Sequence, residues 1–228
     1  MVKLNPVKEK LLKTLVSNYF KNKKGEPYEL TQGQACILEA VLNPTYKEVW
    51  ISAITRYGKS EVIAIGAILL AVLYHLKVPI VAGSTGKAKK IMEYILQHIG
   101  DHPDLYEGLI NAENTEIIDK LKIQISKTAL RWVKGGWIYV TSVDSKNISR
   151  EGESVVGEGG DVVILEEAGL IKREEQYSKI VRMTEEDNGW GKMIQSGNCI
   201  ENSVFEIAYK DPAYHKVRIG LEQAIKEG

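Results

Sequence analysis

Apolar residues recur at Leu11, Leu12, Leu15, Val16 and Tyr19, a spacing that puts them on one face of a helix over residues 7–20. The charged run KNKKGEP, with Gly25 and Pro27, breaks that pattern into a loop. Thr31 then stands where it can cap a second helix carrying Ile37, Leu38, Val41 and Leu42. That helix stops at Asn43, because a residue before proline is pushed out of the helical region. The period changes at EVWISAI, which reads as a strand. KSEVIAIGAILLAVLYHL follows, apolar nearly all round, as expected of a helix buried against a sheet. VPIVAGST is a second buried strand, and Ala88, Ile91, Met92, Ile95 and Ile99 mark an amphipathic helix ending near Gly100.

The second half is more broken. Residues 101–115 look irregular, whereas IIDKLKIQI, ALRWV and WIYVTSV are strand-like, with Lys134-Gly135-Gly136 as a hairpin turn between the last two. These three predict an antiparallel insert beside the main sheet. The polar, glycine-rich VDSKNISREGESVVGEGG leads into DVVILEE, a buried strand ending in two acids. A helix around Glu174 to Met183, the strand KMIQSGN, a helix from Ser203 to Lys210 and the strand HKVRIG complete the series. Such alternation predicts an α/β fold with a mainly parallel central sheet, helices on both faces and an antiparallel extension. It is expected to form a single domain over 1–228, with helices in 1–48 and the core in 49–220.

At 228 residues and 44% hydrophobic content the chain can bury a full core. Thirty basic side chains balance thirty acidic ones, so no overall field attracts a polyanion and any nucleic acid must be held by local patches. Cys36 and Cys199 lie far apart without metal-ligand spacing, which argues against a disulfide framework or structural zinc and for a reducing, intracellular setting. The start lacks the apolar core of a signal peptide, and the longest apolar run, Val62 to Tyr74, is too short to span a bilayer. A soluble protein with no membrane partner is expected.

Between the first strand and its helix lies ISAITRYGKSE. Its Gly-Lys-Ser ends a phosphate-binding loop whose first glycine is replaced by Ala53 and which carries Arg56. Backbone N–H groups at the helix N-terminus can point at phosphate oxygens. The expected nucleotide-binding stretch is Ala53, Ile54, Thr55, Arg56, Tyr57, Gly58, Lys59, Ser60 and Glu61. Within it Gly58 lets the main chain approach, Lys59 reaches the β- and γ-phosphates, and Ser60 is placed to ligate Mg²⁺. A strand-to-helix turn with an ordinary surface lysine is the simpler alternative. The end of DVVILEE weighs against it: Glu166 would hold the metal and Glu167 would polarise an attacking water, as an ATPase requires. Ser196, Gly197 and Asn198, at the end of a later strand, either sense a γ-phosphate or form a plain turn.

Taken together, YELTQGQ, AITRYGKSE, VAGSTGKAKKIMEYI, DVVILEEA and QSGN resemble the ATPase domain of the large terminase subunit, the DNA-packaging motor of tailed bacteriophages. The resemblance covers nearly the whole chain. It implies a P-loop ATPase of the additional-strand, catalytic-glutamate class that hydrolyses Mg-ATP to drive double-stranded DNA into a procapsid. It also implies Gln34 as adenine reader, with Gln32 competing and a plain helix-start glutamine as the bland alternative, and Tyr28 as a stacking partner. An arginine finger is implied too, either Arg56 acting within its own subunit or Arg150 of SREGES reaching a neighbour. Ser196-Gly197-Asn198 would be the coupling motif. Glu166 departs from the family's usual aspartate.

Implied partners are a portal protein, a small terminase subunit and further copies in a ring, in the host cytoplasm. Lys89, Lys90, Arg131 and Lys134 are candidate DNA contacts, although ordinary solvated surface is the simpler reading of each. Only 30 residues follow Asn198, so no nuclease domain is expected and the chain should not cut DNA. The rivals are a helicase-like translocase, a P-loop kinase and a scaffold that keeps a nucleotide as a structural ligand.

Overall fold

In a computed structural model of the chain, residues 4–107, 109, 129–143, 159–171, 174–184, 189–198 and 200–227 are described. Strands form within the segments expected to be strands: β1 (Glu48–Ala53), β2 (Lys77–Ala82), β3 (Ala129–Arg131), β4 (Trp137–Ser142), β5 (Val162–Glu166), β6 (Lys192–Gly197) and β7 (His215–Ile219). They make one sheet in the order β3-β4-β2-β5-β6-β1-β7, parallel throughout except for the β3–β4 pair. The helices are α1 (Pro6–Tyr19), α2 (Gln32–Leu42), α3 (Lys59–Leu73), α4 (Thr85–Gly100), α5 (Pro103–Glu107), α6 (Glu174–Val181), α7 (Val204–Lys210) and α8 (Leu221–Glu227). Among the described residues, no helix is long and apolar enough to cross a membrane.

Side chains alternate across the sheet, as the pleat requires. Val49, Ile51, Ile80, Ile164, Ile194 and Val217 join the core under α1 to α4. Trp50, Val81, Val163, Leu165 and Met193 pack on the opposite face with Ile180 of α6 and Phe205 of α7. Helices therefore cover both faces.

One expectation is corrected. The sequence pattern puts WIYVTSV in an antiparallel insert, but β4 runs parallel to β2, from Lys77 opposite Trp137 to Ala82 opposite Ser142. Five of its six residues are buried, which suits a strand with a neighbour on each side, and only the three-residue β3 turns back on it through Gly135. IIDKLKIQI lies outside the described residues. The short α5 falls in the stretch read as irregular, and α8 had no sequence signal.

Lys192, wholly buried at the start of β6, closes the end of α2. Its Nζ donates to the carbonyls of Ala40 (2.6 Å), Val41 (2.9 Å) and Asn43 (2.8 Å), groups that a helix C-terminus leaves without intrahelical partners. Burial pushes its pKa down to about 7, yet three acceptors around one nitrogen match the three protons of an ammonium. Lys192→Met should cost about 3 kcal/mol in urea unfolding, because it strands these carbonyls. A loss below about 0.5 kcal/mol, the range of an ordinary surface change, would show that they need no such donor.

The sheet fixes where chemistry can occur. Ala82 lies opposite Glu166, Glu166 opposite Ser196 and Ser52 opposite Gly197, so β1, β2, β5 and β6 end at one carboxyl edge. In open parallel sheets ligands bind at that edge.

Candidate functional site

The loop from Ala53 to Gly58 owes its shape to two left-handed residues, Arg56 (φ 67°) and Gly58 (φ 89°). Gly58 precedes α3 without a side-chain cap, so the first N–H groups of a 15-residue helix face the loop's hollow. The φ of Gly58 is what favours glycine there, and a Cβ, 2.8 Å from Gln34 Nε2, would also make that amide shift.

Three side chains converge beneath this loop. Lys59 is nearly buried, with Nζ 3.9 Å from Glu166 Oε1, and Ser60 Oγ donates to that same oxygen. Glu166 is 1% exposed, and its buried Oε2 has no hydrogen-bond partner among the described residues. A hydroxyl and a carboxylate with an unsatisfied oxygen are hard donors that fit Mg²⁺.

Glu167 follows in the left-handed region (φ 60°, ψ 42°), a conformation that costs a non-glycine residue energy and swings it off the strand. A Cβ on Gly83, at the end of β2, would come within 3.2 Å of the Glu167 Cβ, so that turn depends on Gly83. Glu167 accepts a 2.9 Å hydrogen bond from Lys87 Nζ, and this bond holds the Lys87 ammonium's pKa above its usual range. Lys87 was missed by sequence reading, which weighed only Lys89 and Lys90 on this helix. The signal available was Ser84, the N-cap of α4, which sets position 87 in the first turn above the carboxyl edge.

A hollow of about 260 Å³ unites the loop from Ala53 to Glu61 with Lys87, Glu166, Glu167 and Asn198. Thr55 and Arg56 are exposed at its rim, while Ile54, Tyr57 and Glu61 are half-buried. Ser196 is buried opposite Glu166 with no partner for its hydroxyl among the described residues, and a Cβ on Gly197 would lie 3.2 Å from the Ala168 N–H. That backbone contact sets β6 against the turn after Glu167.

The upstream residues reach the loop differently. Gln34 and Thr31 form a reciprocal capping box, in which Gln34 Oε1 accepts from Thr31 N at 3.0 Å. Its Nε2 donates to the Tyr57 carbonyl at 3.0 Å, so both ends of the amide are engaged. Gln32 points to Glu9 instead, at 3.4 Å. Tyr28 is 7% exposed, with its ring edge-on to His98 and its hydroxyl bonded to Glu61. Burial raises the Glu61 pKa and lowers that of His98 to about 4. Arg150 lies outside the described residues.

No protein-family model and no curated protein matches the chain. Solved structures do. The large terminase of bacteriophage HK97 superposes with a TM-score of 0.66 at 13% identity, over 92% of this chain and 43% of that one. The large terminase ATPase domain of Thermus phage P74-26 gives 0.63 at 14% identity, over 100% of this chain and 90% of that one. The UvsW helicase of bacteriophage T4 gives 0.58 at 13% identity, over 94% and 68%. The chain thus spans less than half of the HK97 protein and nearly all of the P74-26 domain. At such identities the likeness bears on fold, and it agrees with the sheet order: the chain has the mostly parallel α/β fold of P-loop ATPases, shared with phage large terminases and a phage helicase.

Proposed function

We propose that the chain is the ATPase motor domain of a viral large terminase, using Mg-ATP hydrolysis to move double-stranded DNA into a procapsid. The observation that carries this reading is the convergence of Lys59, Ser60, Glu166 and Glu167 around one hollow under a helix N-terminus.

Lys59 and the first N–H groups of α3 bind and orient the β- and γ-phosphates. Ser60 and Glu166 would hold Mg²⁺, which supplies positive charge to the phosphates when bound. Glu167 aligns a water and takes its proton as the water oxygen bonds to the γ-phosphorus. The bond to the bridging oxygen breaks, and ADP and phosphate leave. Lys87, already at Glu167, places a second cation at the phosphate end. Arg56, exposed on the loop, or Arg150 supplies the arginine finger, and Ser196, Gly197 and Asn198 couple phosphate loss to movement. Adenine reading by Gln34 would require it to leave Thr31 or Tyr57. Duplex DNA, a portal protein, a small terminase subunit and further copies of the chain are the partners of this reading.

The likeness to UvsW favours one second reading, a helicase-like translocase. Phosphate release from Mg-ATP, measured without DNA and with duplex or single-stranded DNA, separates the possibilities. Release without any acceptor substrate, stimulated by duplex and with no strand separation, is expected. Strand separation would shift the reading to a helicase, and no release under any condition would remove the ATPase.

A further inference from the structure

We infer that Glu227 is a positioning residue for the phosphate loop, acting through Tyr57, so that nucleotide occupancy and the seating of α8 are coupled. The inference rests on the nucleotide-binding reading above.

Tyr57 belongs to the loop that lines the hollow, and its hydroxyl reaches partners outside it. Its hydroxyl meets Thr31 Oγ1 at 2.6 Å and donates to Glu227 Oε2. The same carboxylate accepts from the Gly33 N–H at 3.1 and 3.2 Å and from Gln223 Nε2 at 2.9 Å. A side chain on Gly33 would overlap the Tyr57 hydroxyl, so glycine at position 33 lets the three elements approach this closely. With Gln34 holding the Tyr57 carbonyl, this residue is fixed at both backbone and side chain.

The Gln34 N–H donates to Thr31 Oγ1, the Thr31 and Tyr57 hydroxyls meet, and Tyr57 donates to Glu227, a connected network whose bonds polarise one another. Burial raises the Tyr57 pKa, which keeps its hydroxyl a donor. For Glu227 burial acts upward, but the bonds from Thr31, Tyr57, Gln223 and Gly33 outweigh it and keep the carboxyl below its usual range.

No residue of α8 is buried, and Leu221 and Ile225 are 62% and 70% exposed. The helix is therefore seated by this polar latch rather than by apolar contact. A seated helix that favours the loop's binding form must itself be favoured, by the same factor, when ligand binds.

The test is amide exchange and calorimetry on the full chain, with Mg-ADP as probe. Binding should slow exchange in residues 221–227 about tenfold, and Glu227→Ala should weaken Mg-ADP about tenfold, the factor associated with one charge-assisted hydrogen bond. Glu227→Gln, which can still accept from Tyr57, should recover most of the affinity. Tyr57→Phe removes the same link, so it should also weaken Mg-ADP about tenfold and lose the protection of 221–227. Should Glu227→Ala loosen the whole sheet, Tyr57→Phe decides alone, since it removes one hydroxyl and keeps the ring. If the parent chain binds Mg-ADP with no change at 221–227, or if Glu227→Ala binds as the parent does, the coupling is wrong and the nucleotide site stands. If the parent does not bind, both are wrong.

Discussion

Glu167→Gln is expected to bind Mg-ATP as the parent chain does and to lose turnover by about 10²–10⁴, the contribution typical of a positioned general base. The substitution changes little else. Gln is isosteric, its Oε1 can still accept from Lys87, and it has the same backbone as Glu at this left-handed position. What disappears is a carboxylate able to take a proton from water. Single-turnover phosphate release together with a binding titration measures the two quantities separately. Normal release would remove Glu167 as base and leave Glu166, already engaged by Ser60 and near Lys59, as the remaining acid at this strand end.

Lys59→Ala is expected to weaken Mg-ATP binding by about 100-fold or more, because an ammonium spanning two phosphates makes charge-assisted hydrogen bonds of about 1.5–3 kcal/mol each. The cation is nearly buried and already 3.9 Å from Glu166, so little reorganisation precedes binding and most of that interaction reaches the ligand. Its loss also leaves the buried Glu166 with Ser60 as its hydrogen-bond donor, and a modest fall in melting temperature should accompany the loss of affinity. Calorimetric titration checks the first effect and thermal unfolding the second. Unchanged affinity would reduce the Gly-Lys-Ser to a strand-to-helix turn.

Much of this site was legible because its parts are local. Gly58, Lys59 and Ser60 are consecutive between a strand and a helix, and Glu166-Glu167 end an apolar run, so pattern alone set each at an element boundary. Thr31 as a helix cap was legible for the same reason, since a capping box spans three residues. The share of Gln34 in holding the loop was not, because its second partner, the Tyr57 carbonyl, is 23 positions away. Nor was Lys87, whose partner Glu167 is 80 positions away.

By itself, then, the sequence determined most of the elements, α5 and α8 apart, their order and the candidate residues at their ends, since helix and strand periods and caps are written within a few neighbouring residues. Tertiary structure alone decided that β4 lies parallel beside β2 rather than in an insert, that Lys87 meets Glu167 and that Glu227 reaches Gly33 across 194 positions. Those contacts depend on which strands become neighbours, and strand order follows from how all the apolar faces are buried at once, which no local stretch encodes.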